Sequence, residues 1–289
     1  MRGDFEIVGI RQQVQAVSQQ RKPWFKDKPI AAMLLLALIM GGCLACDLFM
    51  TKDPTYMDLK HCSVPPNGEF LFGTDTMGRD IFSMIWYGGR ISLTVGISAA
   101  AISTVIAIIL GAVSGSAPAW GDTWIMKFTE IMLSVPGLLL VVFMQAILGK
   151  ANVFSLSFVI GVTGWMSIAQ VVRTEVRQMQ SSEYVIASKC MGGSFFHVLW
   201  RHLTPNLVSS IMFMVVMNIR NAIVAEATLS FMGIGLPMEV ISWGSMLAWS
   251  EKALLTNSWW IILIPGMFLV VTLLCITSIG NYIRKRERT

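Results

Sequence analysis

Charge is what this chain has least of. Only 13% of its 289 residues are Asp, Glu, Lys or Arg, while 54% are hydrophobic. A soluble domain carries about 25% charged residues, so the shortage reads as an integral membrane protein. Histidine is scarcer still: His61, His197 and His202 are all there are, and they are spread along the chain. No HExxH, no zinc-spaced pair of CxxC and no Ser/His/Asp pattern occurs, so no metal site and no catalytic constellation is expected. No GxxxxGK[ST] occurs either, so the chain has no phosphate loop of its own for ATP. The five cysteines, Cys43, Cys46, Cys62, Cys190 and Cys275, are odd in number and scattered, which argues against a disulfide framework. A net charge of +5 without a basic-aromatic platform fits membrane anchoring by Lys and Arg, not nucleic-acid binding.

What is plentiful is long apolar sequence. Crossing the hydrocarbon core takes about 20 apolar helical residues. Six windows qualify: 30–50, 92–116, 125–148, 153–172, 207–228 and 259–282. The expected fold is an all-α membrane protein with six transmembrane helices. A polar segment, 1–29, precedes the first span, whose apolar run is too long for a signal-peptide core. An external loop, 51–91, a five-helix core, 92–282, and a basic tail, 283–289, complete the division. With the N-terminus inside, fifteen Lys and Arg fall on the inner side and six outside, with Arg220 in a span. The positive-inside bias therefore predicts that both termini are cytoplasmic. Pro136 should kink the third span and Pro265-Gly266 the sixth. Cys43 and Cys46 lie at i,i+3 inside "LIMGGCLACDLF" and are read as small packing residues rather than a redox or metal pair. The 20 methionines are read as adaptable filler rather than a soft-metal path.

Two places stand out as functional candidates. The first is "EYVIASKCMGGSFFHVLWRHLTPN", residues 183–206, a semi-polar stretch between apolar runs on the cytoplasmic side. Gly192-Gly193 breaks a helical pattern, and a short amphipathic helix restarts at Ser194. Phe195, Val198, Leu199 and His202 share one face. From the residues alone, docking to a partner groove and lying on lipid stay equally open. The second is "VVMNIRNAIVAEATLSF" in the fifth span, where Asn218, Arg220, Asn221 and Glu226 fall at or near membrane depth. Ionisable groups there usually face a cavity or a partner. Arg220 suits a carboxylate met in such a cavity, or a salt bridge or backbone contact within the protein. Arg220 and Glu226, six apart, do not share a helix face.

The 183–206 stretch resembles the coupling loop of ABC importer permeases, in particular the peptide/nickel group and its "C"-type permeases of dipeptide and oligopeptide importers. Glu183, Tyr184, Val185, Ala187, Gly192, Ser194, Arg201, His202, Pro205 and Asn206 fit that pattern, while Ile186, Ser188 and Thr204 depart from it. Three more stretches agree in order: "FGTDTMGRDIFSMIWYGGRISLTVG" (72–96), "EIMLSVPGLLL" (130–140) and "AEATLSFMGIGLP…SWGSML" (225–247). The resemblance runs from about 70 to 282, and the tail lacks pieces that the group often carries.

The resemblance implies a type I ABC importer transmembrane fold. It implies a second homologous permease subunit, two ATP-binding subunits that carry ATP and Mg, and an extracytoplasmic substrate-binding protein. Coupling to the ATPase would then fall to Glu183, Ala187, Gly192, Gly193, Phe195, Phe196, Leu199, Trp200, Arg201, His202 and Pro205. Gly73, Asp75, Gly78, Arg79 and Asp80 would form an external rim. From the residues alone, "TDxxGRD" reads first as a turn and helix cap, with Asp80 at the positive helix end. The expected function is a permease for di- or oligopeptides or similar small solutes, with no enzymatic activity of its own. Nickel or metallophore import is the alternative, for which the Met content and the His61-Cys62 pair speak. A membrane enzyme lacks its catalytic residues, and a secondary transporter lacks an internal repeat.

Overall fold

The computed structural model describes residues 29–149, 152–180, 204–237, 239–250, 253 and 257–287, with the backbone alone at 204–209 and 287. Among the described residues every regular element is a helix, and the one β-bridge, Thr74 to Asp80, closes a turn. In chain order these are α1 (Ile30–Leu44), α2 (Cys46–Phe49), α3 (Ile81–Ser116), α4 (Ala119–Ser134) and α5 (Gly137–Leu148). Then follow α6 (Val153–Thr163), α7 (Met166–Gln180), α8 (Thr204–Phe231), α9 (Trp243–Trp249) and α10 (Trp260–Glu287). All but α9 stand at the six apolar windows. Helices α3, α8 and α10 are each long and apolar enough to cross a membrane unbroken. The pairs α4–α5 and α6–α7 cover one window each but bend by 95° and 47° at their breaks. The first window holds α1, 15 residues long, extended by α2.

Helix α3 is the axis of the fold. Its 36 residues span about 54 Å, and α1, α6, α7 and α8 all pack on it. It begins at Ile81, well before the apolar window at 92, because Asp80 caps it: the carboxylate accepts the backbone N–H of Ser83. The expected external loop is shorter by that much. The helices approach α3 closely where its side chains vanish. A methyl added at Gly111 would lie 2.6 Å from the Ala169 carbonyl oxygen of α7, and one at Gly96 would lie 2.4 Å from Ile223 of α8. Small residues at such crossings let helices associate in lipid, where the hydrophobic effect gives no drive.

Three apolar clusters follow from this packing. One joins α1, α3 and α10 around Ile81, Ile85, Trp243 and Trp260. A second joins α3 to α7 through Ala107, Ala112, Ala169, Val172 and Val176. The third lies between α3, α5, α6 and α8, around Val95, Val141, Val159 and Ala222. The segments before α3 and between α8 and α10 meet at one end of the bundle, the loop end, where the Trp260 indole N–H donates to the Thr74 carbonyl at 3.2 Å.

Pro136 sits at the 95° break between α4 and α5. Pro265 does not end its helix: α10 runs through it. The break at Gly164-Trp165 was not foreseen, since 153–172 read as one straight span. Cys43 and Cys46 do not share one helix, because α1 stops between them at Leu44 and α2 restarts at Cys46. Both are buried free thiols, and the Cys46 Sγ accepts a hydrogen bond from Arg90 at 3.6 Å.

Candidate functional site: a cavity at two helix breaks

Both breaks open onto the same space. A cavity of about 440 Å³ is walled by Leu133, Gly137 and Leu138 on the two sides of the α4–α5 break. Thr163, Gly164 and Met166 wall it at the α6–α7 break, and α8 contributes Asn218, Asn221 and Thr228. Its polar groups are amides and hydroxyls, and among the described residues no charged side chain lines it. Broken helices at membrane depth are tolerated where the freed backbone is buried in protein or lines a polar cavity.

The sequence makes this wall locally. Pro136 has no N–H to continue a helix and clashes with the preceding turn, so α4 stops and α5 restarts. At Gly164 a methyl would crowd the Ile160 carbonyl oxygen at 3.1 Å and would lie in ordinary contact, 3.4 Å, with Asn218 Oδ1. The Asn218 amide in turn donates to Ser103 Oγ of α3, which donates to the Ala100 carbonyl at 3.0 Å. Asn218 is thus held in place, whereas Asn221 is exposed to the cavity.

The four fifth-span candidates separate. Asn218 and Asn221 line the cavity. Arg220 is half-buried beside it and donates to Asn221 Oδ1 through Nη2 at 2.8 Å. Among the described residues no ion pair includes Arg220. Glu226 is fully buried and turned into the packing. Its carboxylate accepts from Ser92 Oγ of α3 and from Ser230 Oγ, each at 2.9 Å. Ser92 Oγ also accepts the Trp243 backbone N–H at 3.2 Å. Glu226 therefore ties α8, α3 and α9 together.

At the loop end, the rim residues build a turn and a cap. Gly73 and Gly78 both have φ of +75°, and a methyl at Gly78 would lie 1.8 Å from the Asp58 carbonyl oxygen, so only glycine fits there. The Asp75 carboxylate accepts the backbone N–H of Arg79 at 2.8 Å and its Nε at 2.7 Å. Both side chains are buried, and the Arg79 guanidinium lies 3.9 Å over the Trp249 ring. Asp80 accepts Thr51 Oγ1 at 2.8 Å and Ser83 Oγ at 2.6 Å besides capping α3. Arg79 and Trp249 also line a second cavity of about 390 Å³ with Thr55 and Glu239. Nearby, the His61 ring hydrogen-bonds the Asp58 carboxylate at 2.7 Å, which holds that carboxyl below the usual range.

Of the coupling residues, Glu183, Ala187, Gly192, Gly193, Phe195, Phe196, Leu199, Trp200, Arg201 and His202 lie outside the described residues. Pro205 falls in the first turn of α8, a position that tolerates proline. Sequence reasoning overlooked a buried acid that α7 holds. Asp122, 5% exposed, receives Ser114 Oγ of α3 at 2.6 Å. It also receives Arg173 of α7 through both Nε and Nη2, and Arg177 Nη2 at 2.6 Å. Arg173 and Arg177 stand one helical turn apart on one face, a visible signal whose acidic partner, 51 and 55 residues away, was not.

Comparison with known proteins accords with this architecture. Residues 107–289 match the family described as binding-protein-dependent transport system inner membrane component. The chain is 32% identical over 262 residues to the oligopeptide transport system permease protein OppC of Bacillus subtilis, covering 90% of this chain and 85% of that one. It is 35% identical over 257 residues to the dipeptide transport system permease protein DppC of the same organism, covering 89% and 80%. A multi-pass helical chain with broken spans around a cavity, matched along most of its length, belongs to the family of binding-protein-dependent transport inner membrane components, in the branch that holds these peptide permeases.

Proposed function

We propose that this chain is one permease half of an ATP-driven peptide importer. The observation that carries this reading is the cavity at the two helix breaks. Its wall is mostly apolar, and its few polar groups, the amides of Asn218 and Asn221 and the hydroxyls of Thr163, Ser167 and Thr228, complement a peptide backbone, whose N–H and C=O groups need partners wherever they leave water. A wall without charge holds the backbone and does not select by side-chain sign. The relatives named as oligopeptide and dipeptide permeases support the same substrate class.

In this reading the loop end faces outward and receives a substrate-loaded binding protein on the rim that Asp75, Arg79 and Asp80 brace from within. A second homologous permease closes the cavity from the other side. Arg220, whose described partner is a neutral amide, meets a carboxylate of the substrate or of that second permease. Two ATPase subunits, which carry ATP and Mg, engage the 183–206 segment from the cytoplasm. The apolar side chains Phe195, Phe196, Leu199 and Trp200 anchor it, Arg201 and His202 add polar contacts, and Gly192-Gly193 supplies the hinge.

Co-expression with the partner permease, ATPases and binding protein, followed by reconstitution in vesicles, tests the proposal. Labelled short peptides are expected to accumulate only with ATP and the binding protein present. Uptake that ignores ATP, or a complex that moves no peptide but does move another solute, would overturn it.

A further inference from the structure

Helix α4 is weakly held by its own chain. Among its 16 residues only Asp122, Met126 and Thr129 are buried, a single stripe at helical spacing. The opposite face, with Trp120, Trp124, Phe128 and Ile131, is exposed. Met126 and Thr129 present little surface to hold a helix. Asp122 is the strong tether, joining the start of α4 to the end of α7 through two arginines and to α3 through Ser114. Gln180, the last residue of α7, adds a 2.7 Å bond to Ser116 at the end of α3.

The placement of these elements gives the tether a mechanical meaning. Helix α7 ends at Gln180, just ahead of the 183–206 segment in sequence. Helix α4 runs to the break at Pro136, where Leu133 and Leu138 wall the cavity. Beyond that break α5 packs on α6, the helix on the far side of the second break. The inner helices α4 and α7 thus form one clamped pair and the outer helices α5 and α6 another, with the cavity where the two pairs meet. A push on α7 reaches α4 only through what joins them.

We infer that Asp122 is a positioning residue of the transport cycle, transmitting motion of the coupling segment from α7 to α4 and so to the cavity wall. This rests on the ATP-coupled reading above. A buried carboxylate held by two guanidiniums and a hydroxyl suits such a link. Several directed bonds fix its geometry, and it resists parting under load. Coupling between sites needs such a discrete connection between elements with two arrangements.

The test uses the complete complex in vesicles, with wild type, Asp122→Asn, Arg173→Gln and the conservative Asp122→Glu. Three quantities are read: basal ATP hydrolysis, its stimulation by loaded binding protein, and peptide moved per ATP. Asp122→Asn and Arg173→Gln are expected to keep basal hydrolysis while peptide moved per ATP falls about tenfold, the loss expected from one broken charged hydrogen-bond network. Asp122→Glu should restore much of it. A purely structural role lowers assembled complex and all three readings together, with the ratio unchanged, and that result would overturn the inference. So would normal coupling in both variants. If the wild type itself shows no stimulated hydrolysis, the ATP-driven reading falls first, and this inference with it.

Discussion

Among single residues, two polar side chains on the same helix do different work. Glu226 is fully buried and bonded to Ser92 and Ser230, while Asn221 is exposed to the cavity. Glu226→Ala leaves two buried hydroxyls without their acceptor, at a cost of about 2–4 kcal/mol. It is expected to lower the thermal midpoint of the detergent-solubilised complex without altering which peptides are carried. Asn221→Leu removes only an exposed acceptor of Arg220 and no buried contact, so its stability change stays within about 0.5 kcal/mol. It is expected to raise the peptide concentration needed for half-maximal uptake, and equal effects of the two variants on both readings would refute the division. Close packing sets a third case. Gly111→Val puts a branched side chain where a single methyl already lies 2.6 Å from a carbonyl oxygen. Overpacking of that kind costs about 1–3 kcal/mol, to be read as a lower thermal midpoint and reduced yield of folded complex. Sequence alone showed the ionisable residues at membrane depth because their type is costly there. It did not show where each points, since the partners of Glu226 and Asp122 lie 134 and 51 residues away.

At the level of elements, the breaks matter more than the spans. The six apolar windows were legible because hydrocarbon thickness sets run length directly, and each window holds a helix or a helix pair. The break at Pro136 was legible too, because proline removes a donor at a known place. The break at Gly164 was not. Glycine within a helical pattern has several readings, and no proline marks the place. The start of α3 was missed for another reason: Gly88, Gly89 and Arg90 end the apolar window, yet the helix runs on through them back to its cap at Asp80. Pro136→Ala restores the missing donor and favours a straighter α4–α5 pair. We expect it to leave the complex assembled and to slow peptide uptake several-fold, measured at saturating binding protein. Unchanged uptake would show that the bend is only a shape.

For the whole molecule, the proposed pairing makes the cavity half a site. It is open on one side, its wall is neutral, and Arg220 stands beside it without an acidic partner among the described residues. The described fold therefore fits a subunit better than a self-sufficient transporter. What the sequence disclosed at this scale came through four spaced motifs. The cavity was hidden, because it depends on two breaks and one asparagine meeting in space.

Helix α5 has 12 residues, about 18 Å of rise, against a hydrocarbon core of about 30 Å. Its far neighbour across the 95° break points elsewhere, so neither arm alone matches the bilayer. A chain synthesised without its counterpart leaves that mismatch for lipid to cover, at a cost in local thinning. Such an orphan is a target for membrane proteolysis. Pulse-chase labelling should show a short-lived chain when it is made alone and a long-lived one when the second permease is made beside it, which makes subunit supply a matter of stoichiometry enforced by turnover.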